Sequence, residues 1–300
     1  MSTTPFPIPH IIPPHPDHPH THTAILLHGR GSCGREFAED LFTSHTSQGI
    51  NLPTAFPTWR WVLPTSRVRW SSLFQEEMCA WFGAGPPGRG TDGLNSDTGA
   101  KHQEQEEMEG LRESVEFIVG LVEREVGVLE GQKEKVFLGG MSQGMATGLW
   151  TLLSLHASLD GRLGGFLGMC GWLPFAEGVA ALGEEVGDEQ GKDKAALGFF
   201  SRRLFGDSRL EEINTTVLST PVLLMHGTDD VWVPVELGRL ARSILEGSMG
   251  LSVEWLDFTG AENDGHWVKE PEGFDRIAQF FSRRSNEGAV SARDKGSNTG

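Results

Sequence analysis

The sequence predicts an α/β fold with a mostly parallel central sheet and helices on both of its faces. Short apolar runs that are typical of buried strands alternate with longer segments of helical character. The clearest runs are residues 24–27, 136–139, 221–225 and the alternating segment 251–258, each followed by a polar or glycine-rich loop. Because the chain has 300 residues and 38% hydrophobic content, it can bury one large core, and we expect a single domain over residues 23–282.

The most informative motif follows the second of these runs. Gly140-Met141-Ser142-Gln143-Gly144 fits G-x-S-x-G, the nucleophile elbow, in which a serine lies on a sharp strand-to-helix turn. Only glycine at the flanking positions leaves room for the strained backbone and its close neighbours. Residues 145–153, which come next, have the character of a buried helix. Taken alone, the motif also fits a plain strand-turn-helix junction with a small serine.

Two later runs end in loops that carry the partners a serine nucleophile needs. The third run opens into an acidic turn with Asp229 and Asp230, and the fourth leads to a loop with one histidine, His266. The order Ser, Asp, His is that of an α/β-hydrolase triad, whose acid and base follow later strands. Each residue alone is explained by turn chemistry or by a solvated surface. Their occurrence together in this order favours one catalytic site that includes Ser142.

The first run ends in a glycine-rich loop, His28-Gly29-Arg30-Gly31-Ser32. Acyl-transfer enzymes need backbone N–H donors where the tetrahedral oxyanion forms, and in this fold they come from the residue after the nucleophile and from this early loop. We therefore expect an oxyanion hole made by the N–H groups of Arg30 and Gln143. The side chain of Arg30 is either a substrate contact or a surface charge. A phosphate-binding interpretation of the glycines is poor, because no acidic residue follows a second strand at the required interval.

With these motifs in place, the chain resembles the acyl-protein thioesterases, also called the phospholipase/carboxylesterase family of α/β-hydrolases. The matching pieces are colinear from about residue 23 to residue 281. They are Leu27-His28-Gly29, Leu63-Pro64, Met78 with Trp81-Phe82, residues 139–144, Cys170-Gly171-Trp172-Leu173-Pro174, His226-Gly227 with Asp230 and Val233-Pro234, and Gly265-His266. The family's acid lies four residues after the histidine of its H-G motif and four before its proline. The resemblance therefore selects Asp230 over Asp229.

The chain departs from the family around the expected acyl site. Met78-Cys79-Ala80-Trp81-Phe82-Gly83 stands where the family usually has Met-Pro-Ser-Trp-Phe-Asp, so the walls of that site are altered. Five side chains are predicted to line an apolar acyl groove, although aromatic clusters more often belong to a core. They are Trp81, Phe82, Trp172, Leu173 and Trp232.

The composition limits the kinds of partner and the cellular compartment that we expect. A net charge of −16 argues against nucleic acid and against unassisted docking to anionic membranes. Cys33, Cys79 and Cys170 are odd in number and scattered, which predicts neither a disulfide framework nor a metal site, and Cys170 is expected to pack at a strand end. No signal segment or apolar run of membrane length is visible, so we expect a cytoplasmic protein without integral membrane association. The triad chemistry requires no metal and no organic cofactor.

The segments at the two ends are expected to lie outside the domain. Residues 1–22 are rich in proline and histidine, and the irregular spacing of the histidines favours an extended lead-in along the domain surface over a metal-binding tract. Residues 283–300 are polar and lack periodicity, which predicts a disordered tail.

Two internal segments have helical patterns. Residues 101–126 carry apolar side chains on one face and carboxylates on the other, which predicts an amphipathic helix. Residues 176–216 form an insertion, in which the acidic stretch 183–194 is expected to be mobile and 195–205 to be an amphipathic helix. The helix is read as a packing element in preference to a lid over the site.

Three functions are compatible with these motifs. The leading one is a carboxylic-ester or thioester hydrolase acting on acyl chains, including deacylation of S-acylated proteins or lysophospholipids. The second uses the same triad on small soluble esters or lactones, which the altered Cys79, Ala80 and Gly83 positions would suit. The third is a catalytically silent binding protein on a hydrolase scaffold, and the presence of all three triad residues weighs against it.

Overall fold

A seven-stranded sheet forms the centre of the molecule, and the computed structural model describes residues 5–71, 74–83, 97–179, 189–206 and 213–294. The sheet strands are β1 His10–Ile12, β2 His22–Leu27, β3 Trp59–Leu63, β6 Val136–Met141, β7 Gly165–Met169, β8 Val222–Gly227 and β9 Val253–Phe258. A separate antiparallel hairpin pairs β4 Val68–Ser71 with β5 Glu76–Cys79. The order across the sheet is β1-β3-β2-β6-β7-β8-β9, and all pairs are parallel except β1 with β3. The predicted, mostly parallel sheet is confirmed.

Helices cover both faces of this sheet, as predicted. They are α1 Gly34–Thr43, α2 Leu52–Ala55, α3 Asp97–Val128, α4 Gln143–Ser154, α5 Glu189–Phe205, α6 Val235–Gly247 and α7 Glu272–Asp294. In β2, Ile25 and Leu27 belong to the core under α3 to α6, whereas Ala24 and Leu26 belong to the core under α1 and α7. This alternation follows from the two-residue period of a strand that is buried on both faces. None of the described helices is long and apolar enough to cross a membrane.

The parallel strands bring the functional loops to one edge of the sheet. β2, β6, β8 and β9 all run in the same direction, so the segments that follow them leave the sheet at the same end. Leu27 pairs with Gly140 in neighbouring strands, and both lie just before the loops that carry the glycine-rich turn and Ser142. Ligands of α/β sheets bind at this carboxyl edge.

The two predicted amphipathic helices are present and are longer than expected. In α3 the predicted stripe is buried at Met108, Leu111, Val115, Ile118 and Val122, and Val119 is half-buried. Helix α5 begins at Glu189, so residues 189–194 are helical rather than part of a mobile acidic stretch, and residues 183–188 lie outside the described chain. Phe200 of α5 packs edge-on against Trp150 of α4 with 4.6 Å between ring centroids. This contact makes α5 a packing helix.

The N-terminal lead-in contributes to the sheet itself. β1 pairs antiparallel with β3 through His10 and Leu63, which extends the sheet by one edge strand. Phe6, ahead of β1, stacks on Phe117 of α3 with 4.1 Å between ring centroids. The prediction of an extended segment along the surface did not include this strand, because a run of three residues among prolines carries too little periodicity.

At the other end, the structure differs from the predicted disordered tail. Helix α7 continues to Asp294, and residues 295–300 lie outside the described chain. Arg283 and Arg284 form ion pairs with Glu254 of β9 at 2.6 and 3.2 Å. These long-range pairs attach the middle of the helix to the sheet, and a local sequence pattern cannot reveal them.

Candidate active site

Ser142 lies on the sharp strand-to-helix turn that the motif predicts. It follows β6, precedes α4, and has φ 55° and ψ −121°, a left-handed backbone that is uncommon for a residue other than glycine. A Cβ on Gly140 would overlap the backbone of Gly144, and one on Gly144 would overlap the carbonyl of Leu27 in β2. The two flanking glycines are therefore required by close packing around the elbow.

The acid turn and the histidine loop meet at a second close contact. A Cβ on Gly227 would overlap the carbonyl oxygen of Gly265, so the loops after β8 and β9 touch through their backbones. Nδ1 of His266 lies 2.7 Å from Oδ2 of Asp230. A carboxylate only accepts, so Nδ1 carries the proton and Nε2 of the neutral ring is left unprotonated. This is the protonation pattern that a general base needs.

The structure distinguishes the two adjacent aspartates. The Asp230 side chain is fully buried, and its Oδ1 accepts the backbone N–H groups of Trp232 and Val233, each at 2.8 Å. Asp229 is exposed, and its Oδ2 accepts the backbone N–H of Gly260 at 2.8 Å. Asp230 therefore contacts the histidine, and Asp229 holds the turn.

A second buried histidine, His226, contacts the same carboxylate. Its Nε2 donates to the carbonyl oxygen of Val233 at 2.9 Å and lies 3.3 Å from Oδ2 of Asp230. Burial raises the pKa of Asp230, but the hydrogen bonds from His226 and His266 outweigh burial, so that pKa is well below its ordinary value. Sequence reasoning gave His226 only a place in a family motif. His226 stands at the end of the buried run 221–225, directly before Gly227. That position is the sequence signal that could have revealed its contact with the acid.

Cys170 lies beside the Asp230–His266 pair. It follows β7, as expected of a cysteine at a strand end, and its Sγ donates to the carbonyl oxygen of Trp267 at 3.7 Å. Cys170, Asp230 and His266 place their ligand atoms within 4.8 Å of one another, which makes them a geometric candidate for a metal site in the described chain. Burial raises the pKa of the Cys170 thiol, so it stays protonated, and the other two groups are already bonded to each other. The donor set therefore fits a hydrogen-bonded pair better than a cation.

The glycine-rich loop after β2 reaches Ser142. A Cβ on Gly29 would lie 3.4 Å from Cβ of Ser142, and the N–H of Gly31 donates to the carbonyl oxygen of Cys79 at 2.8 Å. The Arg30 side chain is half-buried, and its Nη2 donates to the carbonyl oxygen of Gly83 at 3.2 Å. Arg30 is thus held against the neighbouring segment and is not a plain surface charge. Gln143 is the first residue of α4, where backbone N–H groups and the helix dipole favour an anion.

Ser142 and His266 open onto one cavity of about 510 Å³. Of the five predicted groove residues, Trp172 and Trp232 line this cavity. The structure differs for Trp81, Phe82 and Leu173, which do not line this cavity and are buried in the hydrophobic core, to which Trp172 also belongs. The remaining apolar wall comes from side chains that were not among the predicted groove residues, although Met78, Met141 and Val233 stand in the motifs quoted above. These are Phe37, Phe74, Met78, Met141, Val233 and Trp267.

The sheet order, the elbow and the loops that meet beside it define an α/β-hydrolase. A sequence profile described as phospholipase/carboxylesterase matches residues 9–187, and the chain belongs to this family of hydrolases. The chain is 26% identical over 270 residues to acyl-protein thioesterase 1 of Gibberella zeae, a match that covers 88% of this chain and 91% of that protein. It is 24% identical over 245 residues to acyl-protein thioesterase 1 of Yarrowia lipolytica, covering 80% and 84% of the two chains.

Solved structures show the same fold. The crystal structure of Zea mays acyl-protein thioesterase 2 matches with a TM-score of 0.61 at 21% sequence identity. The match covers 92% of this chain and 98% of that chain. The suspected family and the α/β-hydrolase fold are therefore confirmed.

Proposed function

We propose that this protein is a serine hydrolase that cleaves carboxylic esters or thioesters through an acyl-enzyme on Ser142, with His266 as the base and Asp230 as the acid of the triad. One observation carries the proposal. The histidine bonded to Asp230 and the serine on the strained elbow line the same cavity, at the edge of the sheet where three separate loops converge.

The chemistry follows from the protonation states. Nε2 of His266 removes the proton of Ser142 Oγ as that oxygen attacks the carbonyl carbon, and Asp230 stabilises the imidazolium that forms. The imidazolium then protonates the leaving alcohol or thiol as the bond to the acyl carbon breaks. A water molecule, deprotonated in turn by His266, attacks the acyl-enzyme. The imidazolium returns that proton to Ser142 Oγ as the bond to the acyl carbon breaks and the carboxylic acid leaves. Asp230 is suited to this role because its low pKa keeps it ionised.

Two backbone N–H groups would hold the oxyanion of the tetrahedral intermediate. We assign them to Arg30, on the loop whose Gly29 packs against Ser142, and to Gln143, at the start of α4. The positive end of the helix dipole adds to the second donor. Such a donor typically contributes about 3 kcal/mol to lowering the barrier.

The apolar wall of the cavity supports a substrate that carries an acyl chain. Trp172, Trp232, Phe74 and Met78 give it an apolar wall next to the nucleophile. The relatives from Gibberella zeae and Yarrowia lipolytica are named acyl-protein thioesterases, which favours S-acylated proteins as substrates, with lysophospholipids as a related class. We also propose a cytoplasmic enzyme, whose catalytic domain over residues 23–282 is completed by the edge strand His10–Ile12.

A second candidate, hydrolysis of small soluble esters or lactones, is favoured by a different observation. Asp40 and Glu76 also line the cavity, so part of its wall is acidic. Carboxylates beside an acyl chain cost binding energy unless water solvates them. A short or polar acyl group would avoid that cost.

Active-site labelling tests the proposal. The purified protein should react once with a fluorophosphonate, at Ser142, and should hydrolyse p-nitrophenyl butyrate. Ser142→Ala should lose both properties, whereas Ser154→Ala should keep them, because Ser154 lies further along the same helix and donates to Trp150 at 2.6 Å. Labelling at another residue, or hydrolysis that survives Ser142→Ala, would contradict the proposal.

A further inference from the structure

The side chain of Gln143 makes contacts that are separate from the role proposed for its backbone. It is 1% exposed, its Oε1 accepts the N–H of Trp81 at 2.9 Å, and its Nε2 donates to the carbonyl oxygen of Phe82 at 2.8 Å. The one side-chain amide therefore pairs with the N–H of one residue and the carbonyl oxygen of the next, as the backbone of a neighbouring strand would. The elbow is thereby fixed to the segment that follows β5.

Trp81 extends this connection to the glycine-rich loop. Its indole Nε1 donates to the carbonyl oxygen of His28 at 2.9 Å, and its ring lies against the His28 imidazole with 5.0 Å between centroids. The hydroxyl of Ser114 donates to the Trp81 carbonyl oxygen at 2.5 Å, which anchors the tryptophan to α3. Trp81 is fully buried, so these bonds are shielded from water.

The ring of His28 completes the path to the loop residues next to Ser142. The N–H of Ser66 donates to Nε2 at 3.0 Å, so Nε2 is unprotonated, and Nδ1 donates to the carbonyl oxygen of Gly29 at 2.6 Å. Burial lowers the pKa of His28 to about 4, which keeps this neutral tautomer at physiological pH. The Arg30 guanidinium adds a parallel contact with the carbonyl oxygens of Phe82 and Gly83, at 3.4 and 3.2 Å.

We infer that the Gln143 side chain is a positioning residue, which sets the oxyanion hole by linking the elbow through Trp81 and His28 to the loop that carries Arg30. The inference rests on the proposed function. The two proposed N–H donors belong to segments far apart in sequence, and the oxyanion is stabilised only when both are aimed at the same point. The hydrogen-bonded path Gln143–Trp81–His28–Gly29 joins those segments. A displacement of about 1 Å at such a site can lower the rate about 100-fold.

Two substitutions test the link. Gln143→Met keeps the side-chain length but removes both bonds to the 81–82 backbone. Trp81→Phe keeps those bonds, removes the indole donor to His28 and leaves a smaller ring in a fully buried place. Each should lower kcat for p-nitrophenyl butyrate about 10- to 100-fold with KM nearly unchanged. Affinity for a trifluoromethyl ketone, which forms an oxyanion with Ser142, should weaken in parallel. Circular dichroism must verify that the variants are folded under the assay conditions, because partial unfolding would also weaken the apparent affinity.

The double variant and a control complete the experiment. Because the two residues act in series, Gln143→Met with Trp81→Phe should lose little more than the larger single loss. Ser154→Ala, which removes a buried hydrogen bond from the same helix, should leave kcat and the inhibition constant unchanged. If Gln143→Met does not fold, Trp81→Phe decides by the same measurements.

Unaltered kcat and inhibition constant in the folded variants would overturn the positioning role alone. A wild-type protein that neither hydrolyses esters nor labels at Ser142 would overturn the proposed function, and the inference with it.

Discussion

Nδ1 of His266 lies 2.7 Å from Oδ2 of Asp230, on the side of the imidazole away from the nitrogen that would meet the nucleophile. The adjacent Asp229 accepts the N–H of Gly260 instead. The two neighbouring carboxylates therefore have different partners, and substituting each in turn can distinguish their roles.

Asp230→Asn should lower kcat about 10³- to 10⁴-fold, because an amide at this position favours the wrong tautomer of His266. Asp229→Asn should have a much smaller effect, since its oxygen can still accept from Gly260. Steady-state kinetics of ester hydrolysis on both variants, with circular dichroism to verify folding, provide the measurement. Equal losses, or a larger loss at Asp229, would contradict the assignment.

His226 provides a second prediction about the same carboxylate. His226→Phe keeps a ring near Trp255 but removes the donor to Val233 and Asp230, so kcat should fall about tenfold and the unfolding free energy by about 1–3 kcal/mol. His156→Phe is the matched control, because His156 is also buried and bonded through Nε2, in this case to Ser201 at 2.8 Å. The control should lose stability without losing kcat. Equal kcat in the two variants would show that His226 serves the fold alone.

The sequence predicted the elbow and the order of the loops that carry Ser142, Asp230 and His266, because those features are local. A strand, a tight turn and a glycine that avoids a backbone clash each require particular residue types within a short segment. Such segments surround Ser142 and Gly227. The cavity wall was predicted only in part. Trp172 and Trp232 lie on it, but Trp81 and Phe82 point into the core.

The backbone of Trp81 and Phe82 is held by the Gln143 side chain, a contact between residues far apart in sequence that no local pattern encodes. The wall residues Phe37, Phe74 and Met78 come from α1 and the β4–β5 hairpin, which carry no catalytic motif. The continuation of α7 past residue 282 was not predicted for a similar reason. Arg283 and Arg284 pair with Glu254 on a strand that is distant in sequence.

Stability should fall in mild acid because several histidines are buried in the neutral form. Burial lowers the pKa of His22 and His28 to about 4, below the unfolded value of 6.5. The unfolded chain therefore binds more protons between these values, so their contribution is fully present above pH 6.5 and is lost as pH falls towards 4. For the fully buried His28 the loss is about 3 kcal/mol.

Urea unfolding at pH 7, 5.5 and 4 measures this dependence. His22→Phe, which keeps a ring stacked on Trp59, should reduce the loss between pH 7 and pH 4, and His18→Gln at an exposed position should not. An identical pH dependence in wild type and His22→Phe would contradict the prediction for that residue.

The acyl-chain preference tests the substrate class. If the apolar wall binds an acyl chain, each buried methylene adds up to about 0.8 kcal/mol, and kcat/KM should rise from acetyl through octanoyl esters before it plateaus. Palmitoyl thioesters should also be accepted. Trp232→Ala removes a wall residue and should reduce the gain for octanoyl over butyryl esters, whereas Trp70→Ala should not, because Trp70 is exposed but lies outside the cavity wall. An enzyme that is fastest on acetyl esters, with no gain from longer chains, would favour the small-ester alternative. In that case the carboxylates of Asp40 and Glu76 in the cavity wall would determine the substrate preference.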